Sequence, residues 1–245
     1  MSGHNKWSSI KHKKGAVDAK RGKIFTKLIK EISLAAREGG GNPTGNPRLR
    51  TAIAAAKAAS MPADNIDRAI KKGTGELEGG TIDEYAFEGY GPGGAAIFIE
   101  IATDNKNRTT ADIRHILSKN NGNLGESGCV AWMFDRRGII ELEGEGLNED
   151  AIMEAALELD GFQDMEMGDD MATLYTEPNK LHVVREAMAG KGWTIGEAKI
   201  GFVPQNMVKL EGKKAEQMVR LLEMLEENDD VQNVYTNADL SEAQA

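Results

Sequence analysis

From Ala95 onward, apolar residues recur first at every second position and then at helical spacing, and the order of these two periods limits how the chain can fold. Ala95–Thr103 reads as a strand with Ile97, Ile99 and Ile101 on one face. Arg108–Lys119 reads as a helix with Ile113, Ile116 and Leu117 inward, and Cys129–Phe134 as a second strand. A matching unit appears only near the far end: strand Met207–Leu210, helix Lys213–Glu226 and strand Val231–Tyr235. Between them lie strand Ile139–Leu142, helix Asn148–Leu159, two short strands near Gln163–Met167 and Ala172–Tyr175, helix Asn179–Ala189 and strand Thr194–Ile200. That middle block is βαββαβ by itself, and the two outer halves combine into a second βαββαβ, each the ferredoxin-like pattern. The expectation is one ferredoxin-like domain over residues 137–204, inserted into another made of residues 81–136 plus 205–245.

Ahead of these, residues 22–80 read as a helical bundle. In a first helix, Gly22–Arg37, Phe25, Leu28, Ile29, Ile32 and Ala36 make one buried face. Asn46 as N-cap and Pro47 at the first position open a second helix, with Leu49, Ile53 and Ala56 inward. Pro62 opens a third, with Ile66, Ala69 and Ile70 inward, Lys71 and Lys72 in the last turn and Gly73 as the residue after its end. Gly73–Gly80, four glycines in eight residues, is a linker. The predicted class is therefore α+β: an N-terminal three-helix domain followed by two ferredoxin-like α/β domains, one inserted into the other.

Charge is divided between these parts. Residues 1–80 hold 16 Lys and Arg against 7 Asp and Glu, a net of +9; residues 81–245 hold 14 against 32, a net of −18, and the two make the overall −9. A cationic front end on an acidic chain points to a polyanion partner for that end alone. Residues 1–21 form a basic arm without helical or strand period. They read either as a solvated tail or as a segment that orders on nucleic acid, with Trp7 to stack on a base. Lys23, Lys27 and Lys30 share an edge of the first helix. Like charges at that spacing cost roughly 0.2–0.5 kcal/mol per pair, so the ridge faces either an anion or plain solvent.

No constellation specifies an enzyme, a metal or a cofactor. His4 and His12 lie in the arm, and His115 and His182 have no sequence-near partner at ligand spacing. Cys129 lacks a basic activator and rules out an internal disulfide framework. Gly89–Gly94 spells GxGxxG but precedes a strand and contains Pro92, so it reads as a turn rather than a dinucleotide loop. The stretch Thr103–Thr110 gathers Asn105, Lys106, Asn107, Arg108 and threonines at a helix start. It is either an anion site or simple capping by Thr109 or Thr110. With no signal-peptide h-region and no apolar run of membrane length, the expectation is a cytoplasmic protein with no membrane partner.

Several stretches carry more than composition does: Gly3-His-Asn-Lys-Trp7, Ile10-Lys-His-Lys13, Lys23-Ile-Phe-Thr-Lys27, Asn46-Pro-Arg-Leu-Arg50, Met61-Pro-Ala-Asp-Asn-Ile66, Arg68-Ala-Ile-Lys-Lys72, Asn107-Arg-Thr109 and Gly122-Asn-Leu-Gly125. In this order they resemble the YebC/PmpR family over essentially the whole chain. Asn5, Asn42 and Cys129 stand where that family commonly has serine, aspartate and serine. The resemblance implies a three-domain fold and a cytoplasmic, non-enzymatic, nucleic-acid-linked role; the family is described as bacterial transcriptional regulators and includes a mitochondrial translational activator. It carries over Lys6, Trp7, Lys11, His12, Lys13, Lys23, Lys27, Arg48, Arg50, Lys71 and Lys72 as candidate nucleic-acid contacts. The charge pattern adds Lys14, Lys20, Arg21 and Lys30, and the donor-rich stretch Thr103–Thr110 adds Arg108.

Two readings stay open. A DNA-binding transcription regulator would add RNA polymerase or a second subunit as partner. A translation factor on ribosomal RNA would add the ribosome. The alanine-rich second helix, with Arg48 and Arg50 only at its start, offers no base-reading face, which tilts the physics toward RNA. Oligomeric state is left open.

Overall fold

The computed structural model describes residues 17–144, 146–168 and 170–240, with side chains from residue 22 onward. Three helices form the head: α1 Val17–Gly39, α2 Pro47–Ala58 and α3 Ala63–Gly73. Their apolar faces close on Ile32, Ala35, Ala36, Leu49, Ala52, Ala56, Met61, Ile66 and Ala69, with Phe25, Leu28, Ile29, Ile53 and Ile70 around the margin. Asn46 caps α2, its side chain accepting from the Leu49 amide at 3.0 Å. Its Nδ2 donates to Ala35 O at 2.7 Å and Gly40 O at 2.9 Å, so one side chain starts α2 and ties down the end of α1. Gly73 is the last residue of α3 rather than the residue beyond it, and the left-handed position falls at Gly75, with φ +81°. Gly73 has a different task, because a Cβ there would sit 2.3 Å from Ser33 O on α1.

The first sheet contains β1 Asp83–Tyr90, β2 Ala96–Thr103, β3 Asn123–Leu124 and β9 Val231–Thr236, in the order β3-β1-β2-β9 and antiparallel throughout. Helices α4 Lys106–Lys119 and α7 Lys213–Glu226 cover one face. There Ile97, Ile99 and Ile101 meet Ile113, Leu117, Met218, Leu221 and Leu225. The second sheet contains β4 Phe134–Glu143, β5 Phe162–Met167, β6 Met171–Thr176 and β7 Thr194–Pro204, in the order β5-β6-β4-β7, with α5 Glu149–Leu157 and α6 Leu181–Gly190 as its helices. Its first and third strands are central and all pairs are antiparallel, which is the ferredoxin-like arrangement. The chain is thus α+β, with a helical head and two helix-backed sheets, the second lying within the sequence of the first.

The first sheet is assembled from different strands than the periodicity suggests. β1 is an unforeseen strand, paired with β2 from Asp83↔Thr103 to Tyr90↔Ala96. Gly91–Ala95 is the turn between them, with Gly93 at φ +74° and Gly94 at φ +78°. The expected strand Cys129–Phe134 is instead a loop and a short 3-10 turn, Ala131–Met133. The reason is local: the buried Glu88 carboxylate accepts from the amides of Gly128 at 2.6 Å, Val130 at 2.8 Å and Ala131 at 2.7 Å, which removes those donors from any ladder. Burial alone would raise the Glu88 carboxyl, but the three amides hold it below its ordinary value. The expected strand Met207–Leu210 shrinks to β8 Val208–Lys209, paired in parallel with β10 Ala238–Asp239 away from the main sheet.

The other face of the first sheet receives the second. Phe98 lies 4.5 Å from Phe202 between ring centroids, and Phe202 lies 5.4 Å from Tyr235. Phe134 and Val130 complete that cluster. Glu100 shares this face, accepting from Asn233 at 2.9 Å and Tyr235 at 3.0 Å, and burial pushes its carboxyl up.

The head is joined to the body mainly by charge. Lys30 donates to Asp230 Oδ1 at 2.6 Å, Asp229 O at 2.7 Å and Ala102 O at 3.1 Å. Arg48 reaches Glu84 on β1 and Arg37 reaches Asp83 at 2.9 Å. Burial would raise the Asp230 carboxyl, but donation from Lys30, Thr109 and Arg108 outweighs it and holds the group down at about 2, against an ordinary 3.8. A depressed carboxyl stabilises the fold above its ordinary value, and the benefit fades as pH falls from there toward 2. Asp230→Asn should therefore cost about 2 kcal/mol near neutral pH. In denaturant unfolding the gap to wild type should narrow below pH 3.8; a gap independent of pH would contradict this assignment. Gly73→Ala should destabilise the head by about 1–3 kcal/mol in the same measurement, because overpacking against Ser33 O outweighs the better helix propensity of alanine.

Candidate nucleic-acid interface

The sequence-predicted nucleic-acid contacts fall into three groups. Lys6, Trp7, Lys11, His12, Lys13 and Lys14 lie outside the described residues. Lys20 and Arg21 sit on the backbone of the first turn of α1, ahead of the described side chains. The remaining eight have defined places, and the structure does not bring them onto one surface.

Four of them are engaged within the protein. Lys27 donates to Glu226 O at 2.9 Å, and Lys30 is held by three oxygens of the body with its side chain only 14% exposed. The ridge Lys23–Lys27–Lys30 is therefore not a free anion face: two of its three ammonium groups meet the acidic body. Arg48 lies between Glu31 at 2.8 Å, Glu38 at 2.7 Å and Glu84, so it braces α2 against α1 and β1. The Glu31 hydrogen bond is the chief reason its guanidinium is held still more firmly protonated, while Glu84 is held below the usual carboxylate range by the same arginine. Arg108 donates to Asp104 at 3.1 Å and Asp230 at 2.9 Å.

The donor-rich stretch Thr103–Thr110 does surround an anion, and the anion is the protein's own. Asp230 Oδ2 accepts from Thr109 Oγ1 at 2.7 Å, Arg108 Nη2 at 2.9 Å and Thr103 Oγ1 at 3.1 Å. The helix cap is neither threonine: Asn105 accepts from the Arg108 amide at 3.1 Å, and Thr109 is buried. Sequence reading missed Asp230 because it stands more than a hundred residues from this stretch and reads locally as a turn acid.

The other four remain near solvent. Lys23 is half-buried beside the exposed Ile24 on α1. Arg50 is exposed and braces the loop before α2, donating to Pro43 O at 2.8 Å and Thr44 O at 3.1 Å. Lys71 is exposed and Lys72 half-buried at the end of α3. Sequence reading also passed over three exposed cations of the head, Lys57, Arg68 and Arg37, the last of which is paired with Asp83. Between the 41–43 loop, α2 and α3 lies an open groove of about 790 Å³. Ile53, Ile66 and Ile70 line it together with Lys57, Lys71, Asp67 and Glu76. Elsewhere, burial and then the nearby Glu88 carboxylate raise the Cys129 thiol, so it is held neutral rather than activated. No helix among the described residues is long and apolar enough to cross a membrane.

Comparison with known proteins places the chain. The family profile described as the TACO1/YebC protein N-terminal domain matches residues 5–76, and the profile described as the TACO1/YebC second and third domain matches residues 82–238. A probable transcriptional regulatory protein of Desulfosudis oleivorans is 61% identical over 243 residues, covering 99% of this chain and 98% of that one. A similarly named protein of Geobacter sulfurreducens is 56% identical over 241 residues, 98% and 97% of the two chains. The crystal structure of a conserved hypothetical protein from Aquifex aeolicus superposes with a TM-score of 0.85 at 47% identity, covering 91% of each chain. From its N-terminal helices to its nested sheets, this chain belongs to the TACO1/YebC family, whose relatives carry the name of transcriptional regulators.

Proposed function

We propose that the protein is a non-enzymatic, cytoplasmic regulator of gene expression that binds nucleic acid through its basic N-terminal part. The observation that carries this reading is the polarity of charge: a net of +9 in residues 1–80 ahead of a net of −18 in residues 81–245. Phosphate attraction then acts at one end only, and the acidic body repels the backbone elsewhere. The arm residues Lys6, Lys11, Lys13 and Lys14, the start of α1 with Lys20, Arg21 and Lys23, and Arg50, Lys71 and Lys72 of the head supply the contacts. The relatives' names support a regulatory role, and DNA is the target those names suggest.

A second reading, an RNA-bound translation factor, is favoured by one specific observation. The helix that begins Arg48-Leu-Arg50 has no free arginine for a base edge: Arg48 is bound to three glutamates and Arg50 to its own loop. Recognition by shape and stacking, with Trp7 as the aromatic, needs no such helix. Crosslinking in cells followed by fractionation separates the two readings. Enrichment at promoters selects DNA and transcription; co-sedimentation with ribosomes and crosslinks to ribosomal RNA select translation.

Charge reversal at Lys23, Lys71 and Lys72 should weaken binding without unfolding the body. The log–log salt slope should fall by about 0.9 per lost contact on duplex DNA, or about 0.7 on single strands. Unchanged affinity and slope would remove these residues from the interface. Lys30→Glu should lower folding stability, since it sets a carboxylate against Asp230. Trp7→Ala should weaken binding to folded or single-stranded RNA more than to duplex DNA, and equal losses would argue against stacking.

A further inference from the structure

The head and the body meet in a different way from the two sheets of the body. The sheets share an apolar cluster containing Phe98, Phe134 and Tyr235, with Phe202 packed against it. The head's core ends within the head, and no hydrophobic cluster among the described residues crosses to the body. Among the described side chains of α1, Leu34 is the one apolar group buried outside that core. What crosses is charge. Lys27, Lys30, Arg37 and Arg48 on the head donate to Glu226 O, Asp230, Asp83 and Glu84 on the body. A phosphodiester offers these cations the same kind of acceptor.

The pairs differ in how firmly they are held. Lys30–Asp230 is enclosed, at 14% and 10% side-chain exposure, whereas Arg48–Glu84 is at 34% and 44% and Arg37–Asp83 at 37% and 50%. Exposed pairs of this kind are weak, screened by salt and open to exchange with a competing anion. The covalent connection gives the head room to move. α3 ends at Gly73 and the amides of Thr74–Leu77 donate back to its last turn, so the connection to β1 that remains is residues 78–82, which reach about 16 Å when extended.

We propose that the head–body join is a latch sensitive to polyanions. Asp230 and Glu84 occupy cations of the head that nucleic-acid phosphates take over when the head opens, so the free protein keeps part of its phosphate-binding surface closed. This inference rests on the reading that the head binds nucleic acid. Lys30, Arg37 and Arg48 then serve twice, as struts in the free protein and as phosphate contacts in the complex. Asp230, with two cations and two hydroxyls around it, is the stand-in for the phosphate.

The test uses the full-length protein with a short oligouridylate and a mixed-sequence DNA duplex as probes. Asp230→Asn and Glu84→Gln, alone and together, should bind the preferred probe more tightly. The double variant should gain about tenfold at low salt, the order of one charged hydrogen bond, with a salt slope no smaller than that of wild type. Glu154→Gln removes the same charge at an exposed place on α5, a helix of the second sheet. An equal gain there, or unchanged or weaker binding in the folded latch variants, overturns the proposal while leaving nucleic-acid binding intact. A wild-type protein that binds neither probe overturns the functional reading itself. Should Asp230→Asn fail to fold, the exposed Glu84→Gln carries the affinity test. A fluorophore pair on Ala55→Cys and Ser118→Cys, in a Cys129→Ser background, reports the same event: separation should grow when the probe is added, and a constant separation overturns the latch.

Discussion

Asp230 holds the molecule's parts in register. Its carboxylate takes Lys30 from the helical head, and Arg108, Thr103 and Thr109 from the β2–α4 corner, while it stands at the entrance to β9 itself. A buried carboxylate is stable only when its oxygens are well supplied with donors, and a buried ammonium only when its protons are accepted. Each group makes the other tolerable here. Replacing either partner therefore leaves a stranded charge, which is why one pair fixes where the head sits although no shared apolar core does.

Glu88 applies the same physics inside the body. Three amides of the 128–131 loop converge on it, and the Tyr90 hydroxyl donates to Cys129 O at 3.1 Å, so the passage from the first sheet into the second is organised around an anion. Past this loop the chain enters β4, runs through the second sheet, and returns along β7 to place Phe202 against Phe98 and Tyr235. The two sheets are thus joined by aromatic packing and the head by ion pairs. The first kind of contact resists salt and the second yields to it.

This difference bears on function. Acidic residues of the body neutralise the inner cations of the head, and among its described side chains Lys23, Arg50, Lys57, Arg68, Lys71 and Lys72 remain near solvent. On the proposed reading the head meets a phosphate backbone by charge, with Arg48 of α2 held by three glutamates and Arg50 by its own loop rather than offered to a base edge. The family's regulatory names are compatible with that mode of binding at the level of DNA or of RNA.

Much of the fold was legible in the chain because its determinants are local. Helical period placed α7 at Lys213–Glu226 without error, Asn46-Pro47 announced the start of α2, and the middle block's βαββαβ order became a ferredoxin-like sheet. β1 was not legible, because its acidic residues mask the alternation of Tyr85 and Phe87, and its pairing with β2 supplies the stability that its composition does not show. Cys129–Phe134 had the composition of a strand, yet a glutamate forty residues earlier took its amides. The candidate site divides in the same way. That residues 1–80 are cationic is a property of composition and needs no fold. Which cations face outward was decided only when tertiary structure brought Glu84 and Asp230 to Arg48 and Lys30, because an ion pair joins residues across any separation in sequence and leaves no periodic trace in it.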